Sequence, residues 1–92
     1  MPPVVLLAPA AARDLDLLPS DCRDQVLAEV MACAANPAQA RAQVKHLRGF
    51  KPPLLRLRSG DYRVLFRDIG EELHVYRIID RKDLERTLKR FR

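Results

Sequence analysis

The chain has 92 residues, of which 48% are hydrophobic, and a formal net charge of +5. That length holds one domain, residues 1–92, whose core suffices without metal or disulfides, and the hydrophobic fraction excludes a wholly disordered chain. No apolar run approaches the roughly 20 residues that cross a bilayer. The start, MPPVVLLAPAAARD, lacks the basic and long apolar regions of a secretory signal, so a cytoplasmic location and no membrane partner are expected.

The first predicted element is a short strand, Val4 to Ala8. Pro9 suits a first helical turn, and Ala10 to Leu18 then form a short helix that stops before Pro19. Ser20 or Asp21 is the expected cap of a second helix. Within it Val26, Val30 and Cys33 recur at spacings of four and three, with Leu27, Met31 and Ala34 beside them, the pattern of a helix packed on a core. Asn36-Pro37 ends it.

Residues 37–53 read as a connector with a basic middle, QVKHLRGFK. Three strands follow, roughly Leu54 to Ser59, Asp61 to Asp68 and Glu72 to Ile79, with turns at Ser59-Gly60 and around Gly70. Asp80 is the expected cap of a last helix, Arg81 to Phe91. Consecutive strands joined by short turns are antiparallel. The expected fold is α+β: a four-stranded, mainly antiparallel sheet with two N-terminal helices packed on one face and a short C-terminal helix, in the order β-α-α-β-β-β-α.

Cys22 and Cys33 fall in one predicted helix, where eleven residues separate their Cα atoms by roughly 16 Å. A disulfide needs less than about 7 Å, so both read as small packing residues. No metal-ligand spacing is present and no cofactor is expected.

Charge is unevenly placed. Residues 1–40 hold Arg13 and Arg23 against five acidic residues, a balance of −3, whereas residues 41–92 hold 15 basic residues against 7 acidic ones, a balance of +8. A basic half on a small domain points to a polyanion, an acidic protein, or both. The segment LLRLRSGDYRVLFR, Leu54 to Arg67, sharpens this, because it alternates apolar residues with arginines around a turn. Alternation in strands gives one apolar face and one arginine face. With Ser59-Gly60 closing the turn, Arg56 lies opposite Arg63 and Leu55 opposite Val64. Guanidinium forks on a stiff sheet match phosphate oxygens, so nucleic acid is the leading partner.

LRG at Leu47 to Gly49, then LLRLRSGDYRVLFRD, then LHVYRIIDRKDLER together resemble the RelE/ParE superfamily, the toxins of bacterial type II toxin–antitoxin pairs. The resemblance covers residues 44–86, and its most specific part is Arg58-Ser59-Gly60-Asp61-Tyr62-Arg63. It implies a cognate antitoxin, of the RelB kind, that wraps and silences the toxin. Two activities are implied: RelE-type members cut mRNA in the ribosomal A site and so inhibit translation, and ParE-type members poison DNA gyrase. A relative that has lost toxicity and only binds its antitoxin is a further alternative. Fold alone does not choose among them.

By position, Arg56, Arg63 and Arg81 resemble the arginines that serve RelE-type cleavage. Many relatives read His-Arg-Lys-Asp-Val-Tyr where this chain reads Asp80-Arg81-Lys82-Asp83-Leu84-Glu85. RNA cleavage without a metal needs a base for the ribose 2′-hydroxyl, positive charge on the phosphorane and an acid for the leaving 5′-oxygen. The arginines supply charge. Glu85, in the place of the common tyrosine, is the first candidate for proton transfer, followed by Lys82, His74 and Tyr76. Lys45, Arg48, Lys51, Arg58 and Lys82 are candidates for gripping RNA backbone, and Tyr76 for stacking a base. Arg86, Lys89, Arg90 and Arg92 read as a surface for an acidic antitoxin or RNA.

Overall fold

The computed structural model describes residues 4–91; Arg92 lies outside them. The elements are β1 (Val4–Leu7), α1 (Pro9–Asp16), α2 (Ser20–Ala35), β2 (Val44–Leu47), β3 (Leu54–Ser59), β4 (Tyr62–Ile69), β5 (Glu72–Asp80) and α3 (Leu84–Phe91), with single 3-10 turns at Arg41–Gln43 and Arg81–Asp83. The sheet has five strands rather than four, in the order β1-β5-β4-β3-β2. The added strand, β2, lies in the basic segment expected to be a connector. Its four residues, VKHL, are too few to show a period, and Lys45 is a residue type that protects an open sheet edge. Three pairings are antiparallel, and β1 lies parallel to β5 after the chain crosses over through the helices.

The turn chemistry sets a different register from the expected one. Ser59 pairs with Tyr62, so Gly60 and Asp61 form the two-residue loop. Gly60 takes φ +58°, and among the described residues no non-glycine residue takes a positive φ. A positive φ at the first loop residue alone is the type II′ requirement, which glycine meets without strain. As a result Arg58, not Arg56, faces Arg63, and Arg56 faces Leu65. The slip along β3 is two residues, so every side chain keeps its predicted face.

One face of the sheet carries Leu57, Val64, Phe66, Leu73, Val75 and Ile78, all buried against Ala11 and Leu15 of α1 and Val26, Val30 and Cys33 of α2. The 26-30-33 spacing thus marks the buried stripe, while Leu27 and Met31 turn outward, 36% and 50% exposed. Helix α2 starts behind Pro19 without a side-chain cap, so neither Ser20 nor Asp21 fills that role. At the other end of the chain Asp80 does cap, its Oδ1 accepting from the Lys82 N–H at 3.0 Å.

The opposite face is not purely arginine. Leu54, Leu65 and Ile79 alternate with the arginines and are buried beneath Phe50 and Leu88, with Leu47, Tyr76, Leu84 and Phe91 packed around them. Helix α3 therefore covers part of the second face. Asp14 of α1 fastens the helices to the sheet: Arg77 donates to it through Nε at 2.7 Å and through Nη2 at 3.1 Å, and the Ile78 N–H donates to Oδ2 at 2.9 Å. The carboxylate satisfies a β5 donor where β1 has already ended. The β4–β5 ladder shifts register between Leu65 and Phe66, whose partners are Arg77 and Val75, leaving Tyr76 as the extra residue of a bulge.

Candidate functional site

The second face of the hairpin builds the basic site. Lys45 on β2 is the register partner of Arg56 on β3, and Arg58 is that of Arg63 on β4. Arg56 and Arg58 are two apart on one strand, so all four side chains share a face. Arg56 is half-buried. Its pKa is pushed below the ordinary guanidinium value, first by burial and then by the neighbouring Arg63 and Arg58 charges. Among the described residues no acceptor or ion-pair partner is recorded for Arg56, Arg58 or Lys45. Like charges held this close repel one another, and an anion between them relieves that repulsion.

The hairpin turn orients the third arginine. Arg63 Nη1 donates to Gly60 O at 3.0 Å and to Tyr62 O at 2.9 Å, so one nitrogen is held by backbone, and among the described residues no carboxylate is paired with the group. Arg81 comes to the same turn by another route. Its N–H donates to Asp61 O at 2.8 Å, and its Nε stands 4.0 Å from Asp61 Oδ1. Both side chains are largely exposed, so that ion pair is weak. Arg56, Arg58 and Arg63 thus share one face of the β3–β4 hairpin, and Arg81 stands at its turn.

The candidates for proton transfer do not gather there. Glu85 is exposed on the first turn of α3 and lines a separate hollow of about 210 Å³ with Lys45, His46, Leu47, Arg48, Phe50 and Leu88. His74 lies opposite Arg67 beyond the bulge, not opposite Arg63, with Nε2 3.1 Å from Glu72 Oε1. Four residues of β4 separate Arg67 from Arg63, about 13 Å at strand rise. Tyr76 is packed: Phe91 meets its ring edge-on at 6.1 Å, and the Arg67 guanidinium lies 5.4 Å from its centroid. Lys82 is exposed beside Arg81, and Lys51 is exposed on the connector. Arg67 donates through Nε to Pro52 O at 3.1 Å. Among the described residues there is no group of three or more His, Cys, Asp or Glu side chains able to hold a metal. No helix among them is long and apolar enough to cross a membrane.

A larger hollow, about 770 Å³, opens elsewhere, lined by Cys33, Val44, Leu55, Phe66 and Leu73 with Arg41, Arg67 and Asp68 among its polar residues. It contains none of Arg56, Arg58, Arg63 and Arg81. Burial pushes the Cys33 thiol pKa upward, and the Asp68 charge adds to that. Neither cysteine is in a disulfide.

A small mixed sheet with two helices on one face, one helix on the other and a basic hairpin is the fold of the RelE-like toxins. It matches the archaeal RelE–RelB complex of Pyrococcus horikoshii with TM-score 0.73 and 22% identity, over 88% of this chain and 97% of that chain. The RelBE2 complex of Mycobacterium tuberculosis matches with TM-score 0.72 and 24% identity over 87% and 99%. The Escherichia coli RelBE complex matches with TM-score 0.65 and 23% identity over 85% and 95%. At these identities the likeness concerns the fold. A search of curated proteins gives no significant match. Membership comes from the sequence family: residues 5–85 match the model described as ParE toxin of type II toxin–antitoxin system, parDE. The chain belongs to that family, and is a toxin of the RelE/ParE superfamily.

Proposed function

We propose that this toxin acts on RNA, as a ribosome-dependent mRNA endonuclease that needs no metal and is silenced by an antitoxin of the RelB kind. The observation that carries the reading is Arg56: a half-buried guanidinium with no recorded acceptor among the described residues, set between Lys45, Arg58 and Arg63. Such a cluster suits a phosphodiester whose charge grows in the transition state. The scissile phosphate lies against Arg56 and Arg63, and Arg81 approaches from the hairpin tip. Positive charge fixed before reaction stabilises the phosphorane formed by 2′-hydroxyl attack. The antitoxin partner rests on the similar complexes, each of which pairs a toxin of this fold with an antitoxin.

Toeprinting on translating ribosomes is the test. Wild-type protein is expected to give A-site cuts, and Arg56→Ala or Arg63→Ala to lower the cleavage rate by roughly 10²–10³. Uninterrupted translation in the presence of folded protein would refute the reading.

One observation favours a second reading. Among the described residues no carboxylate, histidine or tyrosine side chain makes a hydrogen bond or ion pair with Arg56, Arg58 or Arg63, so the cluster holds charge without an evident base. A toxin that binds and traps DNA gyrase needs no base. Accumulation of gyrase–DNA cleavage complexes, with ribosomal cuts absent, would select it.

A further inference from the structure

The hollow between β2 and α3 has a composition different from the arginine cluster beside it. Its floor is apolar: Phe50 and Leu88 are buried and Leu47 is half-buried. Its polar side chains are two cations, Lys45 and Arg48, one imidazole, His46, and one carboxylate, Glu85. Although these opposite charges line one hollow, no ion pair among them is recorded. Donors and an acceptor are therefore both on offer around a greasy base. A phosphate would meet repulsion from Glu85, and an aliphatic side chain would leave four polar side chains unanswered. The volume, about 210 Å³, falls below the roughly 300–1,000 Å³ of ordinary small-molecule sites.

From these features we infer that the hollow is a nucleobase pocket, and that it reads guanine. Guanine alone sets two adjacent N–H donors, on N1 and N2, beside the acceptors O6 and N7. The Glu85 carboxylate accepts from the donor pair. Lys45 or Arg48 donates to the acceptors, the contact by which these side chains select guanine elsewhere. Adenine presents an unprotonated N1 to the carboxylate and is repelled, whereas uracil and cytosine each offer one donor site. The base face lies on Leu47, Phe50 and Leu88. Lys45 and Arg56 are register partners on adjacent strands, about 4.8 Å apart. One nucleotide can therefore set its base in the hollow and its phosphate on the arginines. Glu85 becomes a specificity residue rather than the proton-transfer group that its position in the chain implied.

This inference rests on the RNA-directed reading above, and one titration separates the two. Backbone amide shifts of the isotopically labelled protein are followed with GMP, AMP, CMP, UMP and ribose 5-phosphate. GMP is expected to move Leu47, Phe50, Glu85 and Leu88 together with Arg56 and Arg63; ribose 5-phosphate is expected to move only the arginine strands. Glu85→Gln should weaken GMP about tenfold or more without weakening ribose 5-phosphate. If all four nucleotides and the sugar phosphate shift the same arginine residues, or if Glu85→Gln leaves the GMP affinity unaltered, the base pocket is wrong while the phosphate face stands. Silence of the arginine strands toward every ligand would remove the phosphate face as well.

Discussion

Arg58 and Arg63 face each other across the β3–β4 pair, an arrangement that costs about 0.2–1 kcal/mol when two like charges are directly opposed. On the proposed reading, a phosphate bound between them offsets that cost. Replacing Arg58 with threonine, a good strand former, is expected to raise the free energy of unfolding by about that amount while weakening RNA binding; urea melts and a filter-binding assay on the same preparation measure both. Cys33 gives a pH signature. Its thiol pKa is raised in the folded state, so well below pH 9.0, the ordinary thiol value, it is protonated in both states and contributes no pH dependence. As pH rises through that value the unfolded chain releases its proton first and stability falls. Cys33→Ala is expected to remove this alkaline slope from a series of melts between pH 8 and pH 11, with the wild-type curve dropping toward the variant's as pH rises.

At the scale of elements, α3 is the part most dependent on its surroundings. It has 8 residues, too few to be helical alone, and Leu88, 4% exposed, is its buried anchor over Leu54, Leu65 and Ile79. Leu88→Ala is expected to cost about 2–4 kcal/mol by equilibrium denaturation, and to disorder the wall of the β2–α3 hollow that carries Glu85. The sequence made the helices legible, because the 26-30-33 spacing and Pro9, Pro19 and Pro37 bracket them. It made β3, β4 and β5 legible through period-two alternation and the glycines of two tight turns. It hid β2, whose four residues are ordered by pairing with β3 rather than by any pattern of their own. It also misplaced the β3–β4 register, since choosing between Ser59-Gly60 and Gly60-Asp61 depends on which loop residue takes the positive φ.

The whole molecule is electrically divided, with the helical hairpin acidic and the sheet and last helix basic. If the basic face binds RNA backbone, affinity falls steeply with salt, and each phosphate contact removed lowers the slope of log K against log salt by about 0.7 for a single strand. Arg56→Gln and Arg63→Gln should each flatten that slope by about this amount, whereas Arg41→Gln, on the rim of the other hollow, should leave it unaltered; fluorescence titrations across a salt series decide. The alternation of Leu54 to Arg67 was enough, by itself, to place Arg56, Arg58 and Arg63 on one face, because side-chain direction in a strand depends only on parity and survives a two-residue slip. Distances across the sheet follow no such local rule. Only the tertiary structure decided that Lys45 joins those arginines, that α3 shares their face, and that Glu85 stands in a separate hollow, because each position is set by packing between segments far apart in the chain.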